Sequence, residues 1–312
     1  MSASRVESFF FRPASPVPLG LCRILFFGWL FLWYLQFDFT AIAFYPQELW
    51  RPMQLLRWAQ LNFIPSESVL AVVQVAWKAS LLLACVGLFA RAAAGLSCVL
   101  GAYLLALTHS FYKINHSDGL LVMAMLVLAF ARSSDALSLD RVIWKRTAAD
   151  APRPSGEYHW PFQAIRLAFV CLFFGSGLSK LILGGLDWMF TNNLYNIVVY
   201  CQLTRDPLLD LNIHWPVFYK VLAVGTVVIE LLAPLALFHA GWRAFIVLSL
   251  LGMQVGIRLT MGDNFTQFMS IYLFWVPWMA LSALLAKRTA AGAGRADVLS
   301  PDTFAHGTAR KA

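Results

Sequence analysis

Long apolar stretches recur along this chain at lengths that match a lipid bilayer. Runs near 17–38, 66–89, 92–111, 161–184, 216–239, 243–262 and 265–286 each cover the roughly 17–25 residues an α-helix needs to cross a hydrocarbon core. A shorter run near 118–131 reaches that length once its polar first turn is counted. The runs are continuous, whereas the strands of a membrane β-barrel alternate over about ten residues. The pattern therefore predicts an all-α, polytopic membrane helix bundle with about eight transmembrane helices. Three pairs of runs are joined by tight turns, around Arg91, Asn115 and Gly241.

The polar remainder orders these spans. With the N-terminus inside, the segments expected in the cytoplasm carry 14 Lys and Arg, and the opposite segments carry only 4: Arg51, Arg57, Lys113 and Arg205. This asymmetry is what the positive-inside rule asks of an even number of spans with the N- and C-termini cytoplasmic. The basic stretch 132–160, with Pro152, Pro154 and Gly156, reads as a cytoplasmic linker. The stretch 187–215 mixes Trp188, Phe190, Tyr195 and Tyr200 with polar residues and reads as a helix lying in the membrane interface. Residues 1–286 are expected to form a single transmembrane helical domain, and 287–312, rich in Ala, Gly and Thr, a disordered cytoplasmic tail.

Composition agrees with a membrane solvent. The chain is 60% apolar and 13% charged, where a soluble domain carries about 25% charge. Twelve Trp suit aromatic belts at the two interfaces. The net charge of +8 is spread through loops and tail, so no nucleic-acid partner is expected; the expected partner is the lipid bilayer. The five cysteines are scattered without a C-x-x-C pair, and no metal site is expected.

Against this background, charges inside spans stand out. Six cations (Arg23, Lys78, Arg166, Lys180, Lys220 and Arg258) and one acid, Glu230, fall within the apolar runs. Ionisable groups in a membrane are costly and pair or serve a function. By depth, Glu230 lies near the midplane with Arg23 and Lys78 at comparable levels, so a structural ion pair of Glu230 with Arg23 or Lys78 is expected, Glu230 with Arg23 bracing the bundle. Lys180 sits nearer the outer surface in Phe173-Phe174-Gly175-Ser176-Gly177-Leu178-Ser179-Lys180, with Asp187-Trp188 following. Small residues one turn away let a flat ligand or a helix approach, and desolvation can leave a lysine able to take a proton. The bland alternative for Lys180 is snorkelling outward or pairing with Asp187.

The same face carries the turn Asn115-His116-Ser117-Asp118 between the third and fourth spans, and Arg258 at the end of the seventh. Helix capping accounts for Asn, Ser and Asp there, but not for an imidazole, which exchanges protons near neutral pH. Lys180, His116 and Arg258 thus converge on one face as an expected site, with Phe173, Ser176, Gly177, Asp187 and Trp188 around a substrate pocket; a catalytic place for Asn115 comes only from the resemblance that follows.

These strings resemble the membrane portion of the vitamin K-dependent γ-carboxylases and their bacterial relatives, the horizontally transferred transmembrane (HTTM) domain family. The likeness runs from Arg12-Pro13 and Leu21-Cys22-Arg23 through Asn115-His116-Ser117 to Gly177-Leu178-Ser179-Lys180-Leu181 with Asp187-Trp188, and to Glu230. It implies that Lys180 is the base that deprotonates a reduced quinone of the vitamin K hydroquinone type. O2 then epoxidises the ring, and the strong base so formed serves carboxylation of glutamate by CO2. It places Asn115 and His116 in the same site. The resemblance departs at Gln254, which stands where the carboxylases have a histidine, and in the large extramembrane module, for which the loops here have no room. A lipid-soluble or quinone-like substrate is accordingly expected ahead of a polypeptide glutamate, and the inner (cell) membrane of a bacterium is the expected location.

Two other classes compete. A non-catalytic membrane subunit would use the buried charges to assemble with a partner membrane protein, an enzyme or an electron-transfer component. A small carrier would call for repeated broken helices, which the apolar pattern lacks.

Overall fold

The computed structural model describes residues 3–111, 116–144, 152–209, 214–263, 265–278 and 280–281. Among the described residues up to Trp275, eight α-helices have twelve residues or more: α1 (Pro16–Leu35), α2 (Glu67–Val86), α3 (Ala90–His109), α4 (His116–Phe130), α5 (Trp160–Gly184), α6 (Asn193–Thr204), α7 (Pro216–Leu232) and α8 (Ala240–Met261). A nine-residue 3-10 helix, Gln267–Trp275, follows. The described residues after Trp275, 276–278 and 280–281, belong to a second unit and form a helical turn closed on the Pro277 carbonyl.

Five helices, α1, α2, α3, α5 and α8, are long and apolar enough to cross a membrane. The other three apolar windows take shorter forms. Window 118–131 becomes α4, 15 residues long. Window 216–239 is divided near Pro234 into α7 and the four-residue turn Leu235–Phe238, as expected where proline removes a helical donor. Window 265–286 opens as the 3-10 helix, in which side chains three apart eclipse one another. Phe268, Ile271 and Phe274 lie on one such line and are fully buried.

Local chemistry sets the helix ends. Ser15 accepts from the Val17 amide and Pro16 occupies the first turn of α1. Gly87, at φ +75°, closes α2. The Asp140 carboxylate then takes the amides of Phe89 and Ala90 at 2.8 and 3.1 Å, capping α3 from a distant segment.

Helices α2, α3 and α4 pack in succession, α1 lies against α2, and α5 joins α4 to α7. The 3-10 helix wedges among α1, α4 and α5. Trp77 of α2 donates to the Ser97 carbonyl of α3 at 3.0 Å, and the Ser80 and Ser97 hydroxyls meet at 2.9 Å. Such buried polar clamps and small side chains hold helices together where lipid gives no hydrophobic drive. The outer faces stay greasy: Leu32, Val72, Val75, Val99 and Leu183 are all more than 60% exposed. In water so many exposed aliphatics would aggregate; in hydrocarbon they are the natural surface.

Candidate functional site

The face of α5 that carries Lys180 is an i, i+3/i+4 stripe: Phe162, Ile165, Phe169, Phe173, Ser176, Gly177 and Lys180. Its first half is core. Phe169 and Phe173 lie with centroids 4.7 Å apart, and Phe169 packs on Phe268, Tyr272 and Trp275 of the 3-10 helix at 6.1, 5.2 and 5.3 Å. Phe173 also meets Phe268, at 6.1 Å. Expected as a pocket wall, Phe173 is instead a buried member of this aromatic cluster, because the 3-10 helix fills the space in front of it.

The second half of the stripe faces α7. Lys180 Nζ lies 2.7 and 2.6 Å from the two carboxylate oxygens of Glu230, and donates to Ser176 Oγ at 2.8 Å. The Ser176 hydroxyl also donates to Glu230 Oε1 at 3.3 Å. A Cβ on Gly177 would lie 2.9 Å from Glu230 Cβ and 3.3 Å from Leu231, so only glycine lets α7 come this close. Past the end of α5 the chain turns back, and the Trp188 ring stands 5.3 Å from Lys180 Nζ in cation–π range. Gly184 makes room for it, since a Cβ there would lie 2.9 Å from Trp188 Cβ.

This corrects the expected pairing of Glu230 with Arg23. Arg23 is fully buried, but its Nη2 donates to the Leu137 carbonyl and its guanidinium packs beneath Gly87, at the end of the bundle where α2 stops. Counting depth along each run treats every helix as starting at the membrane surface. The Lys180 and Glu230 contact places these two residues at one level, so α5 and α7 do not share such a start. The alternative partner of Lys180, Asp187, is exposed, and its backbone carbonyl caps Thr191. Arg258 serves its own helix end, with Nη1 on the Gly262 carbonyl at 2.9 Å. Asn115 lies outside the described residues, and His116 opens α4 with a side chain that is not described.

A second polar cluster was not singled out from the sequence. His109 Nε2, at the end of α3, meets Asp118 Oδ2, at the start of α4, at 2.9 Å, and Gln267 Nε2 donates to Asp118 Oδ1 at 3.1 Å. The signal was present: a tight turn returns the chain so that residues flanking it face one another, and Asp118 has a use beyond capping. Gln267 precedes Phe268, so one short helix touches both this cluster and the aromatic core below Lys180.

The profile of the HTTM domain matches residues 11–282, nearly the whole described chain. The chain belongs to the HTTM domain family. That family is the one to which the membrane domain of vitamin K-dependent γ-carboxylase belongs. No curated protein and no solved structure matches the chain. Within this HTTM domain, the Lys180 and Glu230 pair is an ionisable couple set among apolar helices.

Proposed function

We propose that this HTTM protein is an integral membrane enzyme that withdraws a proton from a lipid-soluble, quinol-type substrate, with Lys180 as the base and Glu230 as its proton partner. One observation carries the reading. The two members of the pair are unequally covered: the Lys180 side chain is 21% exposed and that of Glu230 4%. An incoming O–H group can reach the amine but not the carboxylate.

A paired lysine is not yet a base. Its proton must first pass to Glu230, and the 2.6 Å contact supplies the route. The amine so freed accepts the substrate proton, and the couple returns to its starting charge when a proton leaves Glu230. Ser176 keeps the ammonium and the amine in one position by accepting from Nζ in both states. Trp188 offers a partly exposed aromatic surface beside Nζ, a fit for a flat ring. A reduced quinone would supply the acidic O–H and a ring that O2 can oxidise. Whether CO2 is then fixed depends on a second substrate.

Asn115 and His116 join this reading as groups that orient the substrate. The topology we infer has eight crossings with both termini cytoplasmic, in a bacterial inner membrane, supported by the 14 to 4 division of cations between the two faces. Reporter fusions at residues 153 and 205 should report opposite sides.

The test of function uses the protein in nanodiscs with a vitamin K-type hydroquinone under O2, followed by chromatography of the epoxide. Wild type is expected to turn over, and Lys180→Ala to lose at least a hundredfold, in the range of general-base contributions of about 10²–10⁴. Equal turnover by Lys180→Ala would falsify the base assignment. Loss of a co-purifying membrane protein from Glu230→Ala, with no epoxide from wild type, would favour the assembly-subunit reading.

A further inference from the structure

Two cavities adjoin at His109. The larger, about 580 Å³, runs between α3, α4 and α5 and is apolar along its length, walled by Ala102, Leu105 and Ala106, by Val122 and Met123, and by Leu172. Its polar end is the His109 and Asp118 pair. The smaller, about 380 Å³, lies under the strap 49–57 and is lined by Arg51, Arg57 and Ser110. Both cavities are lined by Met53 and His109. An apolar channel that opens onto two guanidinium groups has the form of an amphiphile with one anionic head.

We propose that this double cavity binds an anionic phospholipid, with an acyl chain in the groove of α3, α4 and α5 and the phosphate on Arg51 and Arg57. The lining residues of α3, from Ala102 to His109, form one stripe about 10 Å long at 1.5 Å per residue, enough to sheath the upper part of an acyl chain. Guanidinium forks match phosphate oxygens in geometry as well as charge. Arg57 spends Nε on the Pro52 carbonyl, and Arg51 spends Nη1 on the Glu48 and Trp50 carbonyls, which fixes both stems, and both side chains line the smaller cavity. Of the two carboxylates nearby, Asp118 is engaged by His109 and Gln267, and Glu48 is exposed. His109 Nδ1 is buried without a partner, a polar group left at the junction where a headgroup would sit. The strap carries Leu49 and Leu55 exposed, with Trp58 exposed just after it, as a segment resting in the interface would.

Native mass spectrometry in detergent distinguishes the sources of this chemistry, with phosphatidic acid, phosphatidylcholine of the same chains and inorganic phosphate as probes. Wild type is expected to retain phosphatidic acid at least tenfold more tightly than phosphatidylcholine. The double variant Arg51→Gln/Arg57→Gln is expected to erase that preference, about tenfold or more for two cations. Gly119 lines the groove, and a Cβ there meets nothing within 4 Å, so Gly119→Phe can start its side chain without a clash and is expected to fill the channel. Met123→Trp, at an exposed position of the same wall, blocks it independently. Both are expected to lose phosphatidic acid while melting as wild type does. The proposal is overturned if the two lipids bind alike, or if both blocked variants keep phosphatidic acid. It is also overturned if inorganic phosphate at the lipid's concentration displaces the lipid, which would make this a free-phosphate site.

Discussion

Lys180 of α5 and Glu230 of α7 form a two-point contact of 2.6 and 2.7 Å, and the Ser176 hydroxyl closes it into a triangle. The two helices can meet there because Gly177, three residues before Lys180, presents no side chain to Glu230. The couple is thus made by one small residue and two costly ones. A buried pair is weak in its net contribution to stability yet expensive to break, because the survivor keeps a charge with no partner.

Stability measurements should show that asymmetry. Lys180→Ala strands the sealed carboxylate and is expected to cost about 3 kcal/mol or more, whereas the double change Lys180→Met/Glu230→Leu should come within about 1 kcal/mol of wild type. Unfolding in detergent, followed by near-ultraviolet circular dichroism, reads both. A double variant as unstable as the single one would mean the pair stabilises the fold outright.

The close approach at Gly177 predicts an overpacking defect. Gly177→Val must push α7 away from Glu230 and Leu231, at a cost of about 1–3 kcal/mol. Gly175, on the open side of the same turn, meets nothing within 4 Å, so Gly175→Ala should be tolerated. Helix propensity favours both replacements of glycine, so a melting temperature for Gly177→Val as high as that for Gly175→Ala would show that the approach of α7 does not depend on Gly177.

The His109 and Asp118 cluster makes a separate prediction. Asp118→Ala removes the acceptor of both His109 Nε2 and Gln267 Nε2. Each buried group left unsatisfied costs about 1–3 kcal/mol. Asp118→Asn keeps one acceptor and should lose less. The order Ala worse than Asn, read from thermal unfolding, checks this; the reverse order would contradict it.

The interfacial loop after α1 should be acid-sensitive. Asp38 accepts from the Thr40 hydroxyl at 2.8 Å and amide at 3.0 Å and from Gln74 at 3.2 Å, and these bonds, the Thr40 hydroxyl first, hold its carboxyl below the ordinary carboxylate range. A depressed carboxyl stabilises the fold above its unfolded value, and that contribution fades as pH falls through the lower folded one. Protection of the Thr40 amide from hydrogen exchange should therefore hold at pH 6 and diminish near pH 3, beyond the intrinsic change of rate. In Asp38→Asn this dependence should be absent.

Much of the bundle was legible because membrane helices announce themselves by run length alone. The windows at 17–38, 66–89, 92–111, 161–184 and 243–262 each became a helix of spanning length, and the window at 118–131 became the shorter α4. The last two windows were less legible. Hydropathy cannot tell an α-helix from the 3-10 turn of Gln267–Trp275, and Pro234 divides a run whose hydropathy barely changes. Lys180 and Glu230 were both visible as charges out of place. Their partnership was not, since depth counted from run ends cannot register a shift of one helix along another.

What the chain's own order of residues determined is the solvent and the cost. Continuous apolar runs demand lipid, and a lysine and a glutamate within them demand partners, whatever the fold. Which partner each found was decided only in three dimensions. Arg23 met a carbonyl under Gly87, His109 met Asp118 across a turn, and Glu230 met Lys180. Apolar surface is interchangeable along a helix, so the relative slide of two helices is set by where small residues let backbones touch. In this protein Gly177 made that choice for the pair on which its chemistry is proposed to rest.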